Sequence, residues 1–154
     1  MNPDLSTPTQ PAIDTAEIAA KFKASVQDVL SPEQTQAAVE LIQSTAGTTG
    51  YAATGNVASF IFYLQFQVNI KDGKAFNGKA GGVSTPGGGA LFGTVYTSDL
   101  DRLYRDTVSF QFTALASVYL SIVFFDGHSN ALGTFQAGGI STVNGTGGGS
   151  GHWG

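Results

Sequence analysis

The sequence predicts an all-β protein: a compact, closed antiparallel barrel of about eight strands with an N-terminal helical extension. Three observations carry that prediction. Past residue 47 apolar and polar residues alternate with period two, as in "VASFIFYLQFQVNI". Turn signals then recur at intervals of about 10–12 residues, the rhythm of a sandwich or barrel. Glycines inside the strand-like segments (Gly55, Gly93, Gly133 and Gly138) mark bends or close approaches of the kind that turn barrel corners. Closure is favoured over an open sandwich because strands this apolar would otherwise expose their edges.

The elements follow in order. Residues 1–13, with Pro3, Pro8 and Pro11 among polar neighbours, read as a disordered tail. Residues 14–46 read as two short amphipathic helices. In the first, Ile18, Phe22, Val26, Val29 and Leu30 fall on one stripe. The second opens on "SPEQ", where Ser31 is an N-cap, Pro32 takes the first helical position and Gln34 closes a capping box. Its stripe is Ala38, Leu41 and Ile42. Helices this short need a surface to pack on, because nucleation is costly.

The barrel domain spans 47–154. Strands are expected near 51–58, over the alternating run to Ile70, near 74–83 and 90–97, at "TVSFQFTA", over 116–125, and near 131–137 and 140–146. "LDRLY" is expected to be a short strand or turn. Phe60, Phe62, Leu64, Phe66, Val108, Phe110 and Phe112 are expected to point inward and fill the interior. Eight strands enclose a space that side chains can just fill or that can hold one small ligand.

Composition excludes several functions. Cysteine is absent, so disulfides and thiolate metal sites are impossible. Six acids before residue 46 face only Lys21 and Lys23, while the remainder is balanced, five acids against five bases. Without a basic face, no nucleic-acid partner is expected. The N-terminus has neither a basic n-region nor an apolar h-region, so no signal peptide is expected there.

Candidate chemistry is sparse. The glycines of 78–93 fit neither a P-loop, which needs a Lys after its second glycine, nor a dinucleotide fingerprint, since a strand follows them. Asp126, His128 and Ser129 crowd one turn, where Asx-type hydrogen bonds are expected rather than a triad. His152 is expected to pack near Trp153. Asp99, Asp101, Arg102, Arg105 and Asp106 read as a solvated, mutually paired turn. No catalytic, cofactor or metal residues are assigned. The strand 116–125 is apolar on both faces, so its outward Tyr119, Val123 and Phe125 form the candidate surface contact and need a cover. The N-terminal helices are expected to dock there.

"FNGKAGGVSTPGGGALFGTVYTSDLDRLYRDTVSFQF", "FFDGHSNALGTFQAG" and "GGGSGHW" together resemble the virulence-associated protein (Vap) family of rhodococci, over roughly Gly50 to Gly154. The arm before residue 46 departs from that pattern. The resemblance implies a compact eight-stranded antiparallel barrel without known catalytic residues. It further implies a secreted or host-delivered effector that alters the phagosomal or lysosomal compartment, meeting host membrane lipid or a host protein. A monomer is expected. A hydrophobic-ligand carrier of the lipocalin or avidin type is the alternative, and a pore former comes after it.

Overall fold

The structure, a computed structural model, describes residues 15–81, 86–115, 119–141 and 145–154. The tail expected to be disordered lies outside them. Two helices, α1 (Thr15–Val26) and α2 (Pro32–Gln43), precede β1 (Thr49–Ser59), β2 (Tyr63–Ile70), β3 (Ala75–Gly81) and β4 (Gly87–Thr97). Helix α3 (Leu100–Asp106) follows, then β5 (Ser109–Leu115), β6 (Tyr119–Phe125), β7 (Ala131–Ser141) and β8 (Gly145–Trp153).

All ladders are antiparallel, and the strands close in the order β1-β2-β3-β8-β5-β6-β7-β4. Within that ring β4 returns beside β1, and β8 returns beside β5. Each set of four consecutive strands is thus a Greek key, and the two keys seal along the β3–β8 and β7–β4 seams.

Period-two patterning dictates which face turns inward. Leu64, Phe66, Val68 and Ile70 on β2 are buried, as are Phe110 and Phe112 on β5. Rings meet across the interior: Phe66 lies 5.4 Å from Phe110, and Phe76 lies 5.0 Å from Phe124 and 5.5 Å from Trp153. The facing strand supplies the room. Gly147, Gly149 and Gly151 alternate with the outward residues of β8. A Cβ on Gly151 would stand 2.5 Å from Phe76 Cζ, and one on Gly78 would stand 2.7 Å from Phe110 Cε1. The apolar face therefore lines a filled interior rather than a lipid boundary.

Five expectations need correction. The alternating run over 57–70 is a hairpin, not one strand: Phe60 N–H donates to Tyr63 O at 2.8 Å, and Ile61 adopts φ 78°. Phe60 and Phe62 sit in that turn and are 47% and 73% exposed, so neither fills the interior. Val108 precedes β5 and is exposed too. "LDRLY" is helical, because the Asp99 carboxylate caps it by accepting from Arg102 N–H at 3.0 Å, and Leu103 buries itself under the barrel end. The predicted strand at 140–146 is really the end of β7 and the start of β8, separated by residues outside those described.

α1 ends at Val26, which leaves Val29 exposed and only part of its expected stripe in use. The α2 capping box forms as read: Gln34 N–H donates to Ser31 Oγ, and Ser31 N–H donates to Gln34 Oε1, both at 3.1 Å.

Adding a single methyl at Gly151 should overpack this interior. Gly151→Ala is expected to destabilise the fold by about 1–3 kcal/mol, read as a lower urea midpoint at unchanged slope.

Candidate functional site

The turn after β6 is built around one carboxylate. Asp126 Oδ1 accepts from the backbone N–H groups of His128 and Asn130, each at 2.9 Å, and Oδ2 accepts from Asn130 Nδ2 at 3.2 Å. The carboxylate is therefore committed to backbone and amide donors, and it does not orient the His128 ring. This is the Asx arrangement expected from the sequence, and no triad forms. Burial opposes ionisation of Asp126. The Asn130 and His128 N–H groups, the Asn130 side chain and Arg102 outweigh that penalty and hold its carboxyl below the ordinary value.

The charged cluster is likewise self-satisfied. Arg102 Nη2 lies 3.4 Å from Asp126 Oδ2 and Arg102 Nε lies 3.6 Å from Asp106, while Arg105 Nε lies 3.0 Å from Asp106. Pairs of this exposure contribute at most about 1 kcal/mol. His152 lies on the outer face of β8, opposite Asn77 of β3. Among the described residues, no group of three or more His, Asp or Glu is placed to hold a metal ion. Gly87, Gly88 and Gly89 belong to the β4 ladder against β1, so their backbone is engaged in pairing instead of forming a phosphate cradle. Residues 82–85 of that glycine-rich stretch lie outside the described residues.

The outward face of β6 is covered by the chain's own helices. Tyr119, Val123 and Phe125 are 9%, 1% and 4% exposed, packed with Ile18, Phe22 and Val26 of α1 and with Ala38, Val39 and Ile42 of α2. Phe22 stacks on Phe125 at 6.4 Å between ring centroids. Two polar clips fix the helices on the wall: Gln111 Nε2 donates to Ser25 Oγ at 3.0 Å, and Gln34 Nε2 donates to His128 O at 2.8 Å. The Tyr119 hydroxyl bonds the Gln136 side chain, and burial pushes its pKa up. With the helices docked, these three residues offer no contact to an outside molecule.

The exposed apolar surface lies elsewhere. Phe60, Ile61, Phe62 and Tyr63, the β1–β2 turn, are 47%, 45%, 73% and 37% exposed. Sequence reasoning missed them as surface residues because their alternation reads as strand interior. They crown one end of the barrel, together with the ends of β3, β5 and β7 and the starts of β4, β6 and β8. Lys71, Asp72, Lys74, Asp99, Asp101, Arg102, Arg105, Asp106 and Asp126 all lie toward the opposite end. Lys79, on β3, is the one other charged residue beyond residue 46.

The comparisons with known proteins agree with this architecture. A family model described as Rhodococcus equi virulence-associated protein matches residues 7–154, so the match takes in the helical arm that the sequence resemblance had left out. The solved structure of virulence-associated protein VapB from the intracellular pathogen Rhodococcus equi is 50% identical, with TM-score 0.66 over 70% of this chain and 97% of that one. VapD from the same organism is 45% identical, with TM-score 0.65 over 70% and 98%. No curated protein sequence matches the chain.

Two outcomes follow from these contacts. Phe22→Ala removes the ring stacked on Phe125, at a cost of about 3–5 kcal/mol for a buried Phe, so the helices should undock while the barrel persists. Limited trypsin digestion should then cut quickly after Lys21 and Lys23 and spare the barrel. Asp126→Ala should lower stability at neutral pH by about 1–3 kcal/mol, because the orphaned turn donors stay shielded from water. A depressed carboxyl stabilises above its unfolded pKa and loses that contribution as pH falls through the folded value. The gap between wild type and variant in thermal melts should therefore narrow below about pH 4.

Proposed function

Because the chain belongs to the Rhodococcus equi virulence-associated protein family, we propose that it is a non-enzymatic effector acting at a host phagosomal or lysosomal membrane through the end of its barrel that carries the exposed Phe60–Tyr63 turn. The observation that carries this reading is the gathering of four consecutive exposed apolar residues at the end away from most of the charge. Nine of the ten charged residues beyond residue 46 gather at one end, and the exposed Phe60–Tyr63 turn crowns the other. Apolar side chains on a closed turn can enter the lipid interface without exposing a sheet edge. No described helix is long and apolar enough to cross a membrane, so contact through the turn suits peripheral binding.

Packing counts against the carrier alternative, since Phe66, Phe76, Phe110, Phe112, Phe124 and Trp153 occupy the interior such a ligand would need. Surface polarity counts against a pore, since the outer wall carries Asn56, Gln65, Gln67 and Asn77 where lipid would lie. The Asx turn at Asp126 and the paired arginines count against catalysis.

Co-sedimentation with phosphatidylcholine–phosphatidylserine vesicles tests the reading. Phe60→Ser with Phe62→Ser should weaken partitioning at least tenfold, about 1.4 kcal/mol, well within what two exposed Phe rings can contribute. Phe92→Ser, on the wall, should leave it unchanged. A double variant that partitions like wild type would overturn the assignment of this end.

A further inference from the structure

The outer wall formed by β1, β2, β3 and β8 carries a feature that membrane contact does not use. On these adjacent strands the outward side chains line up across the ladder. Asn56 stands opposite Gln67, Gln67 opposite Asn77, and Asn77 opposite His152. A second row runs from Ala58 through Gln65 and Lys79 to Ser150. The two rows bound an open groove of about 540 Å3, within the range of small-molecule sites. Its walls are four carboxamides, an imidazole, a hydroxyl and one ammonium. Tyr63 flanks it, with Lys79 Nζ 4.9 Å from the ring centroid.

The chemistry of that lining selects its ligand. No carboxylate faces the groove to balance the charge of a bound cation, and Lys79 opposes one. One ammonium, already over an aromatic face, is too little for a phosphate or sulfate group, which is held by several donors or paired cations. Each of the four strands is paired on both sides, so an extended peptide finds no edge to join. An acyl chain would leave the four carboxamides without partners, at a desolvation cost. What remains is a neutral molecule with many hydroxyl groups. A carboxamide offers a donor and an acceptor side by side, the pattern that two vicinal hydroxyls match. Neighbouring strands lie roughly 4.8 Å apart, close to the length of one hexopyranose, so successive amides can address successive sugars.

We infer that this groove binds a neutral hexose oligosaccharide, read by Asn56, Gln65, Gln67 and Asn77. The inference rests on the wall alone and is independent of whether the Phe60–Tyr63 end meets lipid. The same sugar could come free or as the headgroup of a glycolipid.

The test is a two-dimensional amide NMR titration of the full chain with glucose, galactose, mannose and N-acetylglucosamine hexasaccharides. At least one hexasaccharide should shift the side-chain amides of Asn56, Gln65, Gln67 and Asn77 saturably. Gln67→Leu with Asn77→Leu, both on the outer face of the wall, should weaken that binding at least tenfold while leaving the backbone spectrum and partitioning to plain phospholipid vesicles unchanged. Adding the same sugar as a glycolipid to the vesicles separates the sources. Extra, Gln67- and Asn77-dependent binding there assigns the membrane-borne form, and binding in solution only assigns the free one. Absence of shifts with every hexasaccharide, or equal binding by the double variant, overturns the inference. Loss of partitioning to plain vesicles by Phe60→Ser with Phe62→Ser, with sugar shifts intact, would keep the two readings apart.

Discussion

The barrel depends on a steric complement: aromatic rings project inward where the facing strands carry no Cβ. Phe76 and Phe110 lean over Gly78, Phe76 also over Gly151, and Phe112 over Gly147. Eight strands enclose little more than the volume of one side-chain layer. Large residues on every strand would overfill it, and small ones everywhere would leave voids. Concentrating rings on β2, β3, β5 and β6 and glycines on β8 satisfies the volume while letting β3 and β8 approach. The strand order follows from this constraint, because the glycine strand has to stand between β3 and β5, which bring Phe76, Phe110 and Phe112.

That arrangement also explains what the sequence disclosed and what it hid. Leu64 to Ile70 and Phe110 to Phe112 were legible because alternating bulk and polarity has one reading in a strand. Ser31 and Gln34 were legible because a capping box is a local, reciprocal pair of hydrogen bonds. Strand β8 resists reading beyond its first residues, since glycine has no side chain through which a period can show. The 60–62 turn was hidden for the opposite reason. Its residues continue the alternation, contain none of the usual turn formers, and bend through a positive φ at Ile61 that a β-branched residue rarely adopts. The greasy outer face of β6 pointed correctly to a need for cover, and the helices that supply it were visible as stripes. The surface left free after docking could not be read, because it depends on which apolar groups the helices remove from water.

Three surfaces of the molecule are thereby separated in space. One side of the barrel is sealed by α1 and α2 over Tyr119, Val123 and Phe125. The opposite side presents an amide-lined groove over β1, β2, β3 and β8. The two ends differ in charge. Such a molecule has a defined orientation at any interface it meets: its charged end prefers water, its helical side is already dry, and its groove stays sideways to the surface.

The paired Greek keys have a kinetic corollary. Neither key has closed edges of its own, since β3 is completed by β8 and β4 by β7, partners distant in sequence. Loop closure has to precede the reward of these seams, so they form late and slow the search. Once both are zipped, opening one seam exposes two unpaired edges and a phenylalanine interior together, which leaves no inexpensive partial opening for a protease to exploit. A chain of this design gains durability against proteolysis from the difficulty of starting to unfold, beyond whatever equilibrium stability it has.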